Sequence, residues 1–134
     1  MDLIRERVPH IFPKDISKQP DKIFLLAGGN DAEDSTTDST INDYDRLIRT
    51  ILEASPHSKL ILGPIPPRKN DPVVNGRISE VNDYLKDRGL RRDNVQFAAG
   101  VAPVDSNMFT KKLVHFNQKG KSLLASRLKP FLVD

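Results

Sequence analysis

The chain has 134 residues, 37% hydrophobic and 29% charged, which suits one soluble domain with a modest core. Its 21 Lys and Arg against 18 Asp and Glu leave a net charge of +3, too slight to demand a nucleic-acid or membrane partner. Cysteine is absent, which excludes disulfides, thiolate metal sites and a cysteine nucleophile; no signal peptide or span of about 20 apolar residues is visible, so the expected address is intracellular and cytoplasmic.

The first residues, LIRERVPHIF, read like the tail of a helix, and a proline-containing linker leads on to KIFLLAGGND. Ile23 to Ala27 is continuously apolar and too short for a core helix. It therefore predicts a strand buried on both faces, stopped by a tight turn at Gly28-Gly29. In open parallel α/β sheets ligands bind at the carboxyl ends of strands, which is where Asn30 and Asp31 would then lie. The same four residues, Gly-Gly-Asn-Asp, are also a good plain strand-to-loop turn.

A polar loop, AEDSTTDS, crowds Asp31, Glu33, Asp34 and Asp38 together, but the spacing fits no calcium-loop pattern and no metal is expected. Ser39 or Thr40 is the expected cap of the next helix, in which Ile41, Tyr44, Leu47, Ile48, Ile51 and Leu52 recur along one face. A second buried strand, KLILG, opens into a proline-stiffened loop, PIPPRKNDP. Val74, Ile78, Val81 and Leu85 mark another amphipathic helix, with Gly89 as its expected C-terminal cap. A third strand, VQFA, follows at Val95 to Ala98; Asn117 is the expected cap of a last helix bearing Leu123, Leu124, Leu128 and Phe131. One helix and then three alternating strands and helices predict a parallel sheet with right-handed crossovers.

His115, just before the last helix, could act as a general base, or could simply pack or bond to a backbone carbonyl. The basic runs Arg88, Arg91, Arg92 and Lys111, Lys112, Lys119, Lys121 lack interleaved aromatics and read as solvated faces.

GGND after a buried strand and HFNQKGKSLLASRL before the terminal helix resemble, in order and context, two blocks of the SGNH (GDSL-type) hydrolases. LILGPIPPR and the helix containing ISEVNDYL make the middle similar to SGNH esterase-like modules of some retroelement-encoded proteins. The resemblance runs from about Leu3 to the end. It implies a flavodoxin-like three-layer α/β/α sandwich with a short parallel sheet, one partial domain spanning residues 1–134, and hydrolysis of acyl or acetyl esters without a cofactor. It also implies residue roles: Gly28 forms the turn, Asn30 is the side-chain oxyanion donor, Asp31 the structural acid and His115 the catalytic base.

Two departures from the pattern bear on activity. The family's nucleophile lies in a Gly-Asp-Ser block after the first strand, and no Gly-Asp-Ser occurs in this sequence. Ser17, Ser106 and Ser122 fit no nucleophile turn. The pattern also places an aspartate three residues before the histidine, where this chain has Lys112; a cation there cannot orient an imidazolium and disfavours it, with Asp105 the nearest upstream carboxylate. The expectation is a C-terminal part of an SGNH-type esterase domain with an incomplete catalytic set, either a fragment of a longer enzyme or a pseudoenzyme serving binding or assembly. Without a serine-bearing strand beside Ile23 to Leu26, self-association through that sheet edge is expected.

Overall fold

The computed structural model describes residues 1–68, 71–100 and 118–132. Helix α1, Asp2–Ile11, leads through a short 3-10 turn at Ile16–Lys18 into strand β1, Lys22–Leu25. A short helix α2, Gly29–Asp34, and the long α3, Thr37–Ala54, precede β2, Lys59–Leu62. Then come α4, Pro72–Arg91, β3, Val95–Phe97, and α5, Gln118–Leu132.

The three strands form one parallel sheet in the order β1-β2-β3, with Phe24 beside Ile61 and Leu62 beside Phe97. The alternation of side chains along each strand gives the sheet two apolar faces. Leu60 and Leu62 bury themselves with Tyr44, Leu47, Ile48 and Ile51 of α3 and Val74, Ile78, Val81 and Leu85 of α4. Ile61 points the other way, where Phe24, Ala98, Leu128 and Phe131 meet it. Helices therefore cover both faces, as the α/β/α expectation requires. Each fully buried aliphatic side chain of the central strand contributes about 1.5–3 kcal/mol relative to exposure. Helix α1 inserts Val8 into the larger cluster and packs on α3.

The expected apolar stripes of α3 and α4 are the ones buried, but three local expectations are corrected. Helix α3 begins before Ser39 and Thr40: Thr36 is the cap, its hydroxyl accepting from the Ser39 N–H at 3.2 Å, while Thr40 is buried inside the first turn and donates to the Thr36 carbonyl. Gly89 does not end α4, which continues to Arg91. Its hydrogen in place of a Cβ lets the helix approach β3, since a Cβ would stand 2.7 Å from the Phe97 nitrogen. Part of the expected acidic loop is α2, and its acids diverge. The Asp31 carboxylate lies against the Met1 amino group and Glu33 pairs with Arg68. Asn117 falls outside the described residues.

Helices α3 and α4 are tied by Asp45, which accepts from the Tyr84 hydroxyl and from Arg88 Nη2. Burial, then the Asp45 carboxylate, pushes the Tyr84 hydroxyl up to about 12. Among the described residues, no helix is long and apolar enough to cross a membrane.

Candidate active site

The carboxyl ends of β1 and β2 carry two loops that meet. Beyond Leu25 the chain leaves the ladder, and Gly28 turns it with φ 95°, a left-handed conformation that lets α2 start at Gly29. Space as well as conformation requires glycine there, because a Cβ would fall 2.7 Å from Tyr44 Cε2 and 3.0 Å from Ile65 Cδ1. Tyr44 itself is locked: its ring is 1% exposed and its hydroxyl donates to the Ala27 carbonyl, so burial raises its pKa far above the ordinary tyrosine range.

Asn30 follows in the first turn of α2, backbone only being described at that residue. The Asp31 carboxylate lies 3.2 and 3.3 Å from the Met1 nitrogen, and the Asp31 carbonyl accepts from the Ser35 N–H. At the other end of the same helix, Arg77 reaches across from α4; its Nε donates to the Ala32 carbonyl at 2.7 Å and its Nη2 to the Glu33 carbonyl at 3.0 Å. A guanidinium on the last carbonyls of a helix satisfies orphan acceptors and complements the dipole. Arg77 thereby pins the short element that carries Asn30.

Facing it, Pro64 to Arg68 runs along α4 after the end of β2. Two asparagines hold it, each imitating a β-ladder with both amide atoms. Asn82 accepts from the Ile65 N–H at 2.8 Å and donates to the Ile65 carbonyl at 3.0 Å. Asn75 accepts from the Arg68 N–H at 2.7 Å and donates to its carbonyl at 2.6 Å. The seven-residue spacing is two helical turns, so both amides project from one face. Arg68 then pairs with Glu33 at 3.2 Å, and its Nη2 is the atom nearest an added Gly29 Cβ, at 3.3 Å. The loop after β2 and the turn after β1 are thus in contact at one end of the sheet.

Replacing Asn82 by alanine would leave the N–H and C=O of buried Ile65 without partners, and stability should fall by about 1–3 kcal/mol. Asn75→Ala should cost less, about 1 kcal/mol, since Arg68 is only half-buried whereas Ile65 is fully buried. Urea unfolding of both variants measures the difference; equal, negligible losses would contradict the clamp.

Gly28, Asn30 and Asp31 therefore lie where the sequence places them, at the carboxyl end of β1, with Ile65 and Arg68 beside the turn. His115, Lys112, Asp105 and Ser106 fall outside the described residues, as does the side chain of Ser122. Ser17 sits before β1, at the opposite end of the sheet, exposed, with its hydroxyl donating to the Asp15 carboxylate at 2.8 Å. A shallow depression of about 360 Å³ is lined by Glu33, Asp34, Ser35, Thr36, Thr37 and Arg77. It contains none of Gly28, Asn30 or Pro64 to Arg68 and belongs to the α2–α3 junction. Sequence reasoning missed Arg77, Asn75, Asn82 and the Tyr44 hydroxyl; the one available signal was a pair of asparagines seven apart, flanking the apolar stripe of α4.

The same architecture occurs in solved structures. A Streptococcus pneumonia protein named for platelet activating factor superposes with a TM-score of 0.70 at 23% identity, over 84% of this chain and 60% of its own. A serine-to-alanine mutant of an acetyl esterase, determined with acetate ion, gives 0.73 at 22% identity, over 98% of this chain and 64% of its own. A carbohydrate esterase family 3 protein from Talaromyces cellulolyticus gives 0.67 at 20% identity, over 98% and 64%. The chain thus spans 60–64% of the length of these structures, and at such identities the likeness shows the fold. No curated protein matches the sequence. The sequence model of the GDSL-like lipase/acylhydrolase family matches residues 2–123, nearly the whole chain, including the Gly28 turn, the Pro64 to Arg68 loop and His115. The chain therefore belongs to the GDSL-like lipase/acylhydrolase family.

Proposed function

We propose that residues 1–134 form one partial domain, the oxyanion-donor and base side of an acyl-ester hydrolase, and that this chain alone does not turn over esters. The observation that carries the reading is the left-handed turn at Gly28, which sets Asn30 at the carboxyl end of β1 beside the clamped Pro64 to Arg68 loop. Ester hydrolysis there requires a hydroxyl to attack the acyl carbon while a base takes its proton. The carbonyl oxygen becomes an oxyanion, and donors fixed in advance stabilise it; losing one such donor typically costs about 100- to 1000-fold in turnover. In this reading the Asn30 amide is a donor, Asp31 braces the turn and His115 is the base. Acetyl esters are the favoured substrates, by the acetyl esterase among the structural matches.

The nucleophile is what the chain lacks, since it contains no Gly-Asp-Ser block. Lys112, three residues before His115, favours a second reading in which the fold is kept for binding or assembly. Loss of the orienting acid's charge costs on the order of 10⁴ in rate in a serine protease. No cofactor enters either reading.

The test is hydrolysis of p-nitrophenyl acetate by the purified chain. It should proceed no faster than with an equally histidine-bearing control protein, and His115→Ala should change nothing. Saturable turnover abolished by His115→Ala would overturn catalytic silence.

A further inference from the structure

One asparagine of the loop clamp has a reactive neighbour. Of the eight asparagines in the sequence, Asn75 alone is followed by glycine. Gly76 is exposed, and the space its Cβ would occupy holds nothing within 4 Å. With no side chain in the way, the Gly76 nitrogen can close on the Asn75 Cγ once the backbone leaves the helical conformation. In the folded chain it is held back twice. The Asn75 carboxamide is engaged at both ends, accepting from the Arg68 N–H at 2.7 Å and donating to the Arg68 carbonyl at 2.6 Å. The helix also commits the Gly76 N–H to the carbonyl four residues back. Both restraints lie at the amino end of α4, next to the Asp71 cap, whose carboxylate accepts from the Val74 N–H at 3.1 Å. Helix ends open locally at lower free energy than the core, so this turn is where the restraint is released.

We propose that Asn75 is a deamidation site and that its conversion detaches the Pro64 to Arg68 loop from α4 at Arg68. When the turn opens, the Gly76 nitrogen attacks the Asn75 Cγ. A Cγ–N bond forms, the Cγ–Nδ2 bond breaks, and the amide nitrogen leaves as ammonia with the proton that the Gly76 nitrogen gives up. Water then opens the cyclic imide at one of its two carbonyls, which leaves aspartate or isoaspartate; isoaspartate carries the main chain through an extra methylene. Aspartate keeps an acceptor for the Arg68 N–H but has no hydrogen for the Arg68 carbonyl, and it sets a carboxylate against that oxygen. Isoaspartate also breaks the helical register that puts residues 75 and 82 on one face. The new negative charge does not itself oppose the fold, since acids near a helix amino terminus complement its dipole. The product is a folded chain with one of its two loop clamps undone, and the change is one-way. The step uses none of the candidate catalytic residues and is independent of the ester-hydrolase reading.

Incubation of the purified chain at mildly alkaline pH, followed by intact mass and peptide mapping, tests the chemistry. The folded chain should gain, at Asn75, the mass difference between an amide and an acid, and the urea-unfolded chain should gain it faster. Gly76→Ala keeps both the amide and the helix and should suppress the conversion. Asp71→Ala removes the cap, raises the open population of the turn and should accelerate it by about 2- to 30-fold. Hydrogen exchange of Asn75→Asp reads the consequence: with one clamp bond lost, the Arg68 amide should exchange about 2- to 10-fold faster than in the parent. Asn75 surviving intact in the folded chain, a rate untouched by Gly76→Ala or by Asp71→Ala, conversion no faster in urea, or unchanged Arg68 exchange in Asn75→Asp would each overturn the proposal.

Discussion

Gly28→Ala should destabilise the fold by about 2–5 kcal/mol, the sum of about 1–2 for an L-residue held in a left-handed conformation and about 1–3 for overpacking. Both terms have a visible origin. The backbone sits at φ 95°, and the new methyl would meet the Tyr44 ring at 2.7 Å and Ile65 at 3.0 Å. The ring has nowhere to go, since it is buried and its hydroxyl is held by the Ala27 carbonyl. Gly29→Ala is the foil: no positive φ is involved, and the nearest atom is the movable tip of Arg68 at 3.3 Å. It should change stability by no more than about 0.5 kcal/mol. Urea unfolding of the two variants compares them directly, and a Gly28→Ala midpoint equal to that of the parent would contradict the strained turn on which the candidate site rests.

The second large effect separates two glycines of one helix. By propensity alone, alanine should stabilise any helix-interior glycine by about 1 kcal/mol. At Gly76, where a Cβ meets nothing within 4 Å, a gain of about 0.5–1 kcal/mol is expected. At Gly89 the Cβ would lie 2.7 Å from the Phe97 nitrogen and 3.3 Å from the Gln96 carbonyl carbon, and backbone in a sheet cannot swing aside. Gly89→Ala should therefore lose about 1–3 kcal/mol despite the better propensity. Thermal melts of opposite sign confirm the close packing of α4 on β3; two gains would refute it.

Gly89 also shows where sequence reasoning stops. A glycine near the end of an apolar repeat is read as a helix cap, and only the position of β3 reveals that it is a contact. The same limit explains Ser39 and Thr40: several hydroxyls in a row can cap a helix, and register against the sheet selects Thr36. Elements with strong periodicity were legible, because burial of Tyr44, Leu47, Ile48 and Ile51, or of Val74, Ile78, Val81 and Leu85, follows from spacing alone. At the site, the strand-turn-Asn-Asp order was legible because an apolar run that ends in two glycines marks a strand end and supplies the conformational freedom a sharp turn needs. Arg77, Asn75 and Asn82 were not, since they act on backbone groups distant in sequence and resemble ordinary surface residues until the loops they clamp are placed.

Whether this acylhydrolase fold carries a nucleophile of its own is decided by active-site titration. The purified chain is incubated with a fluorophosphonate that esterifies activated serines, then weighed by intact mass spectrometry and mapped by peptide digestion. An unchanged mass is expected, with no adduct on Ser17, Ser106, Ser122 or any other serine. A stoichiometric adduct on one serine, lost on prior denaturation or in His115→Ala, would contradict it and name the nucleophile.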